Sequence, residues 1–208
     1  AAPVKDAVGE ILAIGDRAQL TGAIAGLHTA IANPFFSVGV QADLMNSDIN
    51  ALYISQSGLT MGDRDYYLDP ENENIRTAYK EYLGKLFRLA GIPEADIEKA
   101  VAGVMNIETK LAEKSWSNTE LRDIPAQYNP TAKAEFEKTY DAIDWPAYYK
   151  AMGIGDFDTI IVTTKSSIAN ANDLMKNAPL EDIRYYLAAQ YLDDAASYLS
   201  DDFQQASF

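Results

Sequence analysis

The chain has 208 residues, of which 48% are hydrophobic, 23% charged and 11% aromatic, enough to bury roughly 70% of the unfolded chain's surface in one domain or two small ones. So apolar a chain offsets its ordering entropy, which excludes disorder. Seventeen Lys and Arg stand against 31 Asp and Glu, a net charge of -14. With no Lys/Arg cluster to displace counterions from phosphates, nucleic acid is not expected as a partner.

No window approaches eighteen uninterrupted apolar residues, so no membrane-spanning helix is expected. The start, Ala1-Ala2-Pro3-Val4-Lys5-Asp6, lacks the charged and apolar regions of a signal peptide, which reads as a cytosolic protein or a mature or trimmed chain. The absence of cysteine removes disulfides, thiolate zinc sites and cysteine nucleophiles.

Apolar spacing predicts a helix over about Val4 to Ile14 and another over Gln19 to Ala32, closed by Asn33-Pro34, since the residue before proline is pushed out of the α region. The period then changes to two. Phe36, Val38, Val40, Ala42 and Leu44 alternate with polar residues, and after Asn46-Ser47-Asp48 the alternation resumes at Leu52, Ile54 and Gln56. One β-hairpin over about 36–56 follows, which must lean on helices because a lone hairpin is marginal.

Helical spacing returns from Asn72, through Ile75, Tyr79, Tyr82, Leu86 and Leu89, and stops at Gly91 and Pro93. A further helix opens at Pro93 with Glu94 and Asp96 in its first turn and runs to about Lys114. Ser115 to Pro130 reads as loop plus a short helix, Thr131 to Tyr140 as a second short helix, and Trp145-Pro146 opens another that ends at Gly153 and Gly155. Phe157 to Val162 is β-prone with no evident partner, and Lys165–Asn177 and Pro179–Leu199 form a closing helical pair. The fold class is therefore mainly α, a single helical domain with one small hairpin.

The chemistry is mostly negative. His28 is the sole histidine. A catalytic zinc normally takes two or three imidazoles or a His/Cys mixture, so His28 reads as a surface or packed helix residue. A serine triad would also need His28, and no Gly-x-Ser-x-Gly elbow exists. A calcium loop from Asp63 fails at Leu68 and Asn74, where glycine and glutamate are required. Gly153-Ile154-Gly155-Asp156 lacks the third glycine and the strand-to-helix setting of a dinucleotide loop, and no Walker lysine motif occurs. Asp193-Asp194 and Asp201-Asp202 are sequence neighbours whose side chains diverge on a helix. The 13 tyrosines read as amphipathic core and interface residues. No catalytic constellation emerges.

One stretch says more. Asp43-Leu44-Met45-Asn46-Ser47, then Gln56-Ser57-Gly58-Leu59-Thr60-Met61-Gly62-Asp63-Arg64-Asp65-Tyr66-Tyr67, resembles a signature of the neprilysin and endothelin-converting-enzyme family of zinc metalloendopeptidases. Its form there is D-x-x-N-S followed by Q-x-G-L-x-L-P-x-R-D-Y-Y. Met61-Gly62 replaces Leu-Pro, which implies a looser turn. Ile107 to Ala112 with Ser115, then Arg122-Asp123, Tyr128-Asn129, Trp145 with Tyr148-Tyr149, and the last helix resemble further family segments in the same order.

The resemblance implies a helical lid domain, residues 1–208, of a larger extracytoplasmic peptidase (periplasmic, secreted or cell-surface). The family's H-E-x-x-H zinc motif, downstream Glu ligand and catalytic His are absent, so no cofactor is expected in this segment and zinc belongs to the parent enzyme. The implied partners are the catalytic domain of the same polypeptide and the parent's peptide substrates. Asp43, Asn46, Gln56, Gly58, Leu59, Arg64, Asp65, Tyr66, Tyr67, Arg122, Asp123, Tyr128 and Asn129 are implied to be structural. The alternative is a free-standing acidic helical module that binds a peptide or protein.

Overall fold

The computed structural model describes residues 2–30 and 32–197. Helices dominate. The first, α1 (Ala2–Leu12), turns its Val4, Val8 and Ile11 face inward. A single 3-10 turn at Arg17–Gln19, capped by the Asp16 carboxylate on the Gln19 N–H, leads into α2 (Leu20–Thr29). The helix ends short of Asn33, and the chain folds back so that the Pro34 carbonyl accepts from His28 Nε2 at 3.0 Å.

The alternating segment forms β1 (Phe36–Ala42) and β2 (Asn50–Gln56), antiparallel with Gly39 opposite Tyr53. Next come the one-turn α3 (Asp65–Leu68), α4 (Glu73–Leu89) and α5 (Glu94–Lys114). Gly91, at φ +88, stops α4 by adopting a left-handed conformation that costs other residues dearly. The 115–130 loop contains two 3-10 turns rather than an α-helix.

Beyond it lie β3 (Pro130–Ala132), α6 (Lys133–Thr139), α7 (Trp145–Met152), β4 (Thr159–Val162), α8 (Lys165–Asn177) and α9 (Leu180–Ala196). The expected end of the last helix, Leu199, and the pair Asp201-Asp202 lie outside the described residues.

The mainly α reading holds, but the hairpin is not alone. It belongs to a four-stranded sheet in the order β1-β2-β4-β3, with β4 parallel to β2 and antiparallel to β3. The β-prone segment at 157–162 thus finds its partner about a hundred residues upstream, a pairing that local periodicity cannot reveal. Ile160, Ile161 and Val162 are all buried, as expected of a strand covered on both faces. Leu52, Ile54, Ile160 and Val162 face the main core, whereas Ala51, Tyr53 and Ile161 form a smaller cluster under Tyr128.

Helix α9 is the axle of the helical layer, packed along α5 and also against α1 and α4. Ile183, Tyr186, Leu187 and Leu192 are buried along with Ala188, Ala189, Ala195 and Ala196. Burial on several sides explains why α9 shows no single apolar stripe. An aromatic cluster, formed by Phe36, Phe136, Trp145 and Tyr148, ties α7 and α6 to the start of β1.

Candidate functional site

Most of the signature residues fall into two groups. The first is the connection from β2 to α3, which bonds to Trp116, to Tyr186 on α9 and to Glu108 on α5. Gln56 acts as an extra rung at the end of β2. Its Nε2 donates to the Trp116 carbonyl (3.1 Å) and its Oε1 accepts from the Trp116 N–H (2.8 Å). Gly58 follows at φ +96, and its carbonyl accepts from the Tyr186 hydroxyl at 2.9 Å. That same hydroxyl accepts from the Phe35 N–H at 3.1 Å. A Cβ on Gly58 would lie 2.1 Å from the Tyr186 oxygen and 2.7 Å from the Phe35 nitrogen. Glycine is required here for space as well as for conformation.

Leu59 packs against the core, and Leu59 to Gly62 form a turn closed by the Gly62 N–H on the Leu59 carbonyl at 2.9 Å. Gly62 sits at φ +87. A proline there would lose that N–H and could not reach this φ. The Met61-Gly62 pair thus makes a turn closed by a main-chain hydrogen bond at a φ that proline cannot adopt. Since nothing lies within 4 Å of a Cβ at Gly62, Gly62→Ala should cost only the conformational strain, about 1 kcal/mol, read as a small fall in urea midpoint.

Below the turn lies Glu108 on α5, fully buried. Its Oε1 accepts from the Thr60 N–H (2.8 Å) and the Tyr67 hydroxyl (2.7 Å), and its Oε2 from the Tyr79 hydroxyl (2.5 Å). The Tyr67 hydroxyl in turn accepts from the Met61 N–H at 3.0 Å. Burial pushes the Glu108 carboxyl up to about 7, although the two tyrosines and Thr60 favour its charged form. Burial likewise holds Tyr67, Tyr79 and Tyr186 well above the ordinary phenol range, and the neighbouring Glu108 charge adds to it.

Other bonds of the first group end on main-chain carbonyls. Arg64 donates to the Ser115 carbonyl at the end of α5 (2.7 Å), placing a cation at a helix C-terminus. The carbonyl of Asp65 accepts from Asn72 Nδ2 (3.0 Å), and that of Tyr66 from Arg76 (3.0 Å).

The second group surrounds the hairpin tip. Asp43 Oδ1 accepts from the Met45 N–H and from the Tyr128 hydroxyl, both at 2.8 Å; these two bonds hold its carboxyl below the usual range, the Met45 N–H contributing most. Asn46 Oδ1 accepts from the Asp48 N–H at 3.3 Å. Asn129 Nδ2 reaches the Val162 carbonyl at 2.9 Å and joins the loop to β4. Arg122 and Asp123 stand apart in the 3-10 segment, where Asp123 Oδ1 accepts from the Ala126 N–H at 3.2 Å.

His28 lies within the core. Pro34 offers only an acceptor, so Nε2 carries the proton and Nδ1 accepts from the Tyr148 hydroxyl at 2.6 Å. Burial lowers its pKa to about 4. Both ring nitrogens are committed, and among the described residues no group of three or more His, Cys, Asp or Glu side chains could hold a metal ion. The described residues do not fit a zinc centre.

Sequence reasoning missed Glu108 as a site. Its signal was a charged residue on the apolar face that Val104, Ile107 and Leu111 define. It also missed a shallow groove of about 950 Å³ between α4 and α5, over Gly84, Ile97, Val101 and Met105, with the Arg88–Glu94 ion pair on its rim.

Several of the signature residues bond to distant segments, Gln56 to Trp116, Gly58 to Tyr186, Arg64 to Ser115, Tyr128 to Asp43 and Asn129 to Val162, within a mainly helical domain. The chain belongs to peptidase family M13, the neprilysin and endothelin-converting-enzyme family, whose N-terminal-region model matches residues 1–208. It is similar to endothelin-converting enzyme 1 of Mus musculus, 31% identical over 180 residues, covering 84% of this chain and 23% of that protein. It is 26% identical over 173 residues to a neutral endopeptidase of Lactobacillus helveticus, covering 83% of this chain and 27% of the relative. The chain thus spans about a quarter of the curated relatives it matches. Its fold superposes on Mycobacterium tuberculosis zinc metalloprotease Zmp1 in complex with inhibitor with a TM-score of 0.93 at 23% identity, covering 100% of this chain and 32% of that one.

Proposed function

We propose that residues 1–208 form the helical cap of a neprilysin-like zinc metalloendopeptidase, enclosing its active site and restricting entry to peptides while supplying no catalytic group. The carrying observation is that a chain of this family has its sole histidine locked between Tyr148 and Pro34. Zinc and the groups that activate water belong, in this reading, to the catalytic portion of the same polypeptide. This segment contributes a rigid wall, and enclosure excludes water and selects substrates by access. Localisation is extracytoplasmic, in keeping with the family resemblance. No helix among the described residues is long and apolar enough to cross a membrane.

Purified residues 1–208 are expected to bind no stoichiometric zinc and to cleave no peptide, whereas the full-length polypeptide does both. Equimolar, tight zinc binding by the segment, or peptide hydrolysis by it, contradicts the proposal. The groove between α4 and α5 favours a second reading, a free-standing acidic module that binds a peptide or protein there. A native polypeptide of the segment's own mass on an immunoblot would select that reading.

A further inference from the structure

Among the described residues the large hydrophobic side chains left exposed are Val40, Leu44, Met45, Ile49 and Ile124. Four of the five belong to the outer part of one hairpin. Met45, at the tip, is 77% exposed. The tip is nonetheless braced. The Asp43 N–H donates to the Ile49 carbonyl at 2.8 Å, Tyr53 Oη accepts from the Leu44 N–H at 3.0 Å, and Asp43 is tied to Tyr128. Holding apolar side chains rigidly in water is unfavourable unless another surface covers them.

Among the described residues the flank of the same hairpin is also open, because β1 is an edge of the sheet. The Thr163 N–H bonds to the Ile54 carbonyl, so even-numbered residues of β2 direct their backbone groups toward β4 and odd-numbered ones toward β1. With Gly39 opposite Tyr53 and Gln41 opposite Ala51, the odd-numbered residues of β1 bond to β2. Val38 and Val40 then turn their N–H and C=O groups outward. Phe36–Ala42 carries no charge, no proline and no bulge, the devices by which free edges are usually blunted.

We propose that the Val38–Val40 edge and the Leu44/Met45/Ile49 tip form one docking surface for an extended segment of the catalytic portion of the same polypeptide, added as a strand beside β1. The inference rests on the cap reading. An unprotected edge selects an extended backbone, and the adjoining apolar tip selects a permanent occupant, since a substrate leaves after each turnover and would re-expose it. Length permits it, because the chain corresponds to only 32% of the Zmp1 chain on which it superposes. Asp43, Asn46 and Tyr128 acquire a purpose, that of shaping the tip presented to the occupant.

The test is hydrogen exchange on the ligand-free full-length polypeptide, resolved to single amides. The Val38 and Val40 amides are expected to exchange at least about 100-fold more slowly than in an open chain. In the full-length Val40→Lys/Met45→Asp variant that protection should fall about 10-fold or more, with the Gly39 amide, bonded to Tyr53, still slow as proof of an intact hairpin. Open-chain rates at Val38 and Val40 overturn the proposal. So does protection that appears only with a saturating peptide substrate, which would mean substrate addition, or only at high protein concentration, which would mean a second copy. Protection at β1 in a peptidase indifferent to substrate length would sink the cap reading and leave the docking surface standing; length selectivity without protection would do the reverse.

Discussion

Gly58→Ala is expected to destabilise the domain by about 4 kcal/mol, because a sterically blocked Cβ and an unfavourable backbone conformation act at one residue. The new methyl would sit 2.1 Å from the Tyr186 oxygen and 2.7 Å from the Phe35 nitrogen, on a backbone at φ +96. Tyr186 cannot retreat cheaply. It is fully buried, and its hydroxyl bonds both the Gly58 carbonyl and the Phe35 N–H. Urea denaturation of Gly58→Ala, Tyr186→Phe and the double variant checks this: the double should cost clearly less than the two single losses together, since removing the hydroxyl relieves the overlap. A Gly58→Ala cost as small as that at Gly62 would contradict the geometry.

The second large effect concerns pH. The folded chain holds a proton on Glu108 up to about 7, against an ordinary 4.5. Its contribution is therefore complete below pH 4.5 and lost as pH rises through 7. His28 behaves oppositely, since its pKa is lowered from 6.5 to about 4. Its contribution is complete above pH 6.5 and lost as pH falls through 4. Each departure corresponds to about 3 kcal/mol, so between pH 4.5 and 6.5 the two slopes nearly cancel.

Glu108→Gln removes one side of that balance. The stability of the variant minus that of the parent sequence should rise by about 3 kcal/mol between pH 4.5 and 7.5. The variant should also lose stability from pH 6.5 to 4, as His28 is left uncompensated. Urea midpoints across this range measure both, and a difference that is flat with pH would show that Glu108 does not titrate there.

Helix positions were legible because their cues are local. Gly91-Ile92-Pro93 separates α4 from α5, and Trp145-Pro146 and Gly153 bracket α7, each by a rule of backbone geometry. The sheet was half legible. β1 and β2 show alternation, but β3 is three residues long and the parallel β2–β4 pairing spans a separation no periodic pattern encodes.

The same division holds for the signature. Its order along the chain identified the family, whereas Glu108, the residue that gathers Thr60, Tyr67 and Tyr79, was hidden inside an amphipathic helix. Asp43 and Tyr128, 85 residues apart, show their partnership only once the 115–130 loop folds over the sheet.

The most direct test of the cap reading is a substrate-length series on the full-length polypeptide. Peptides from about five residues to a folded protein, all sharing one scissile sequence, would be compared by kcat/KM. An enclosing cap predicts that kcat/KM holds for short peptides and falls by about 100-fold or more for the folded protein. Equal kcat/KM across the series would contradict it.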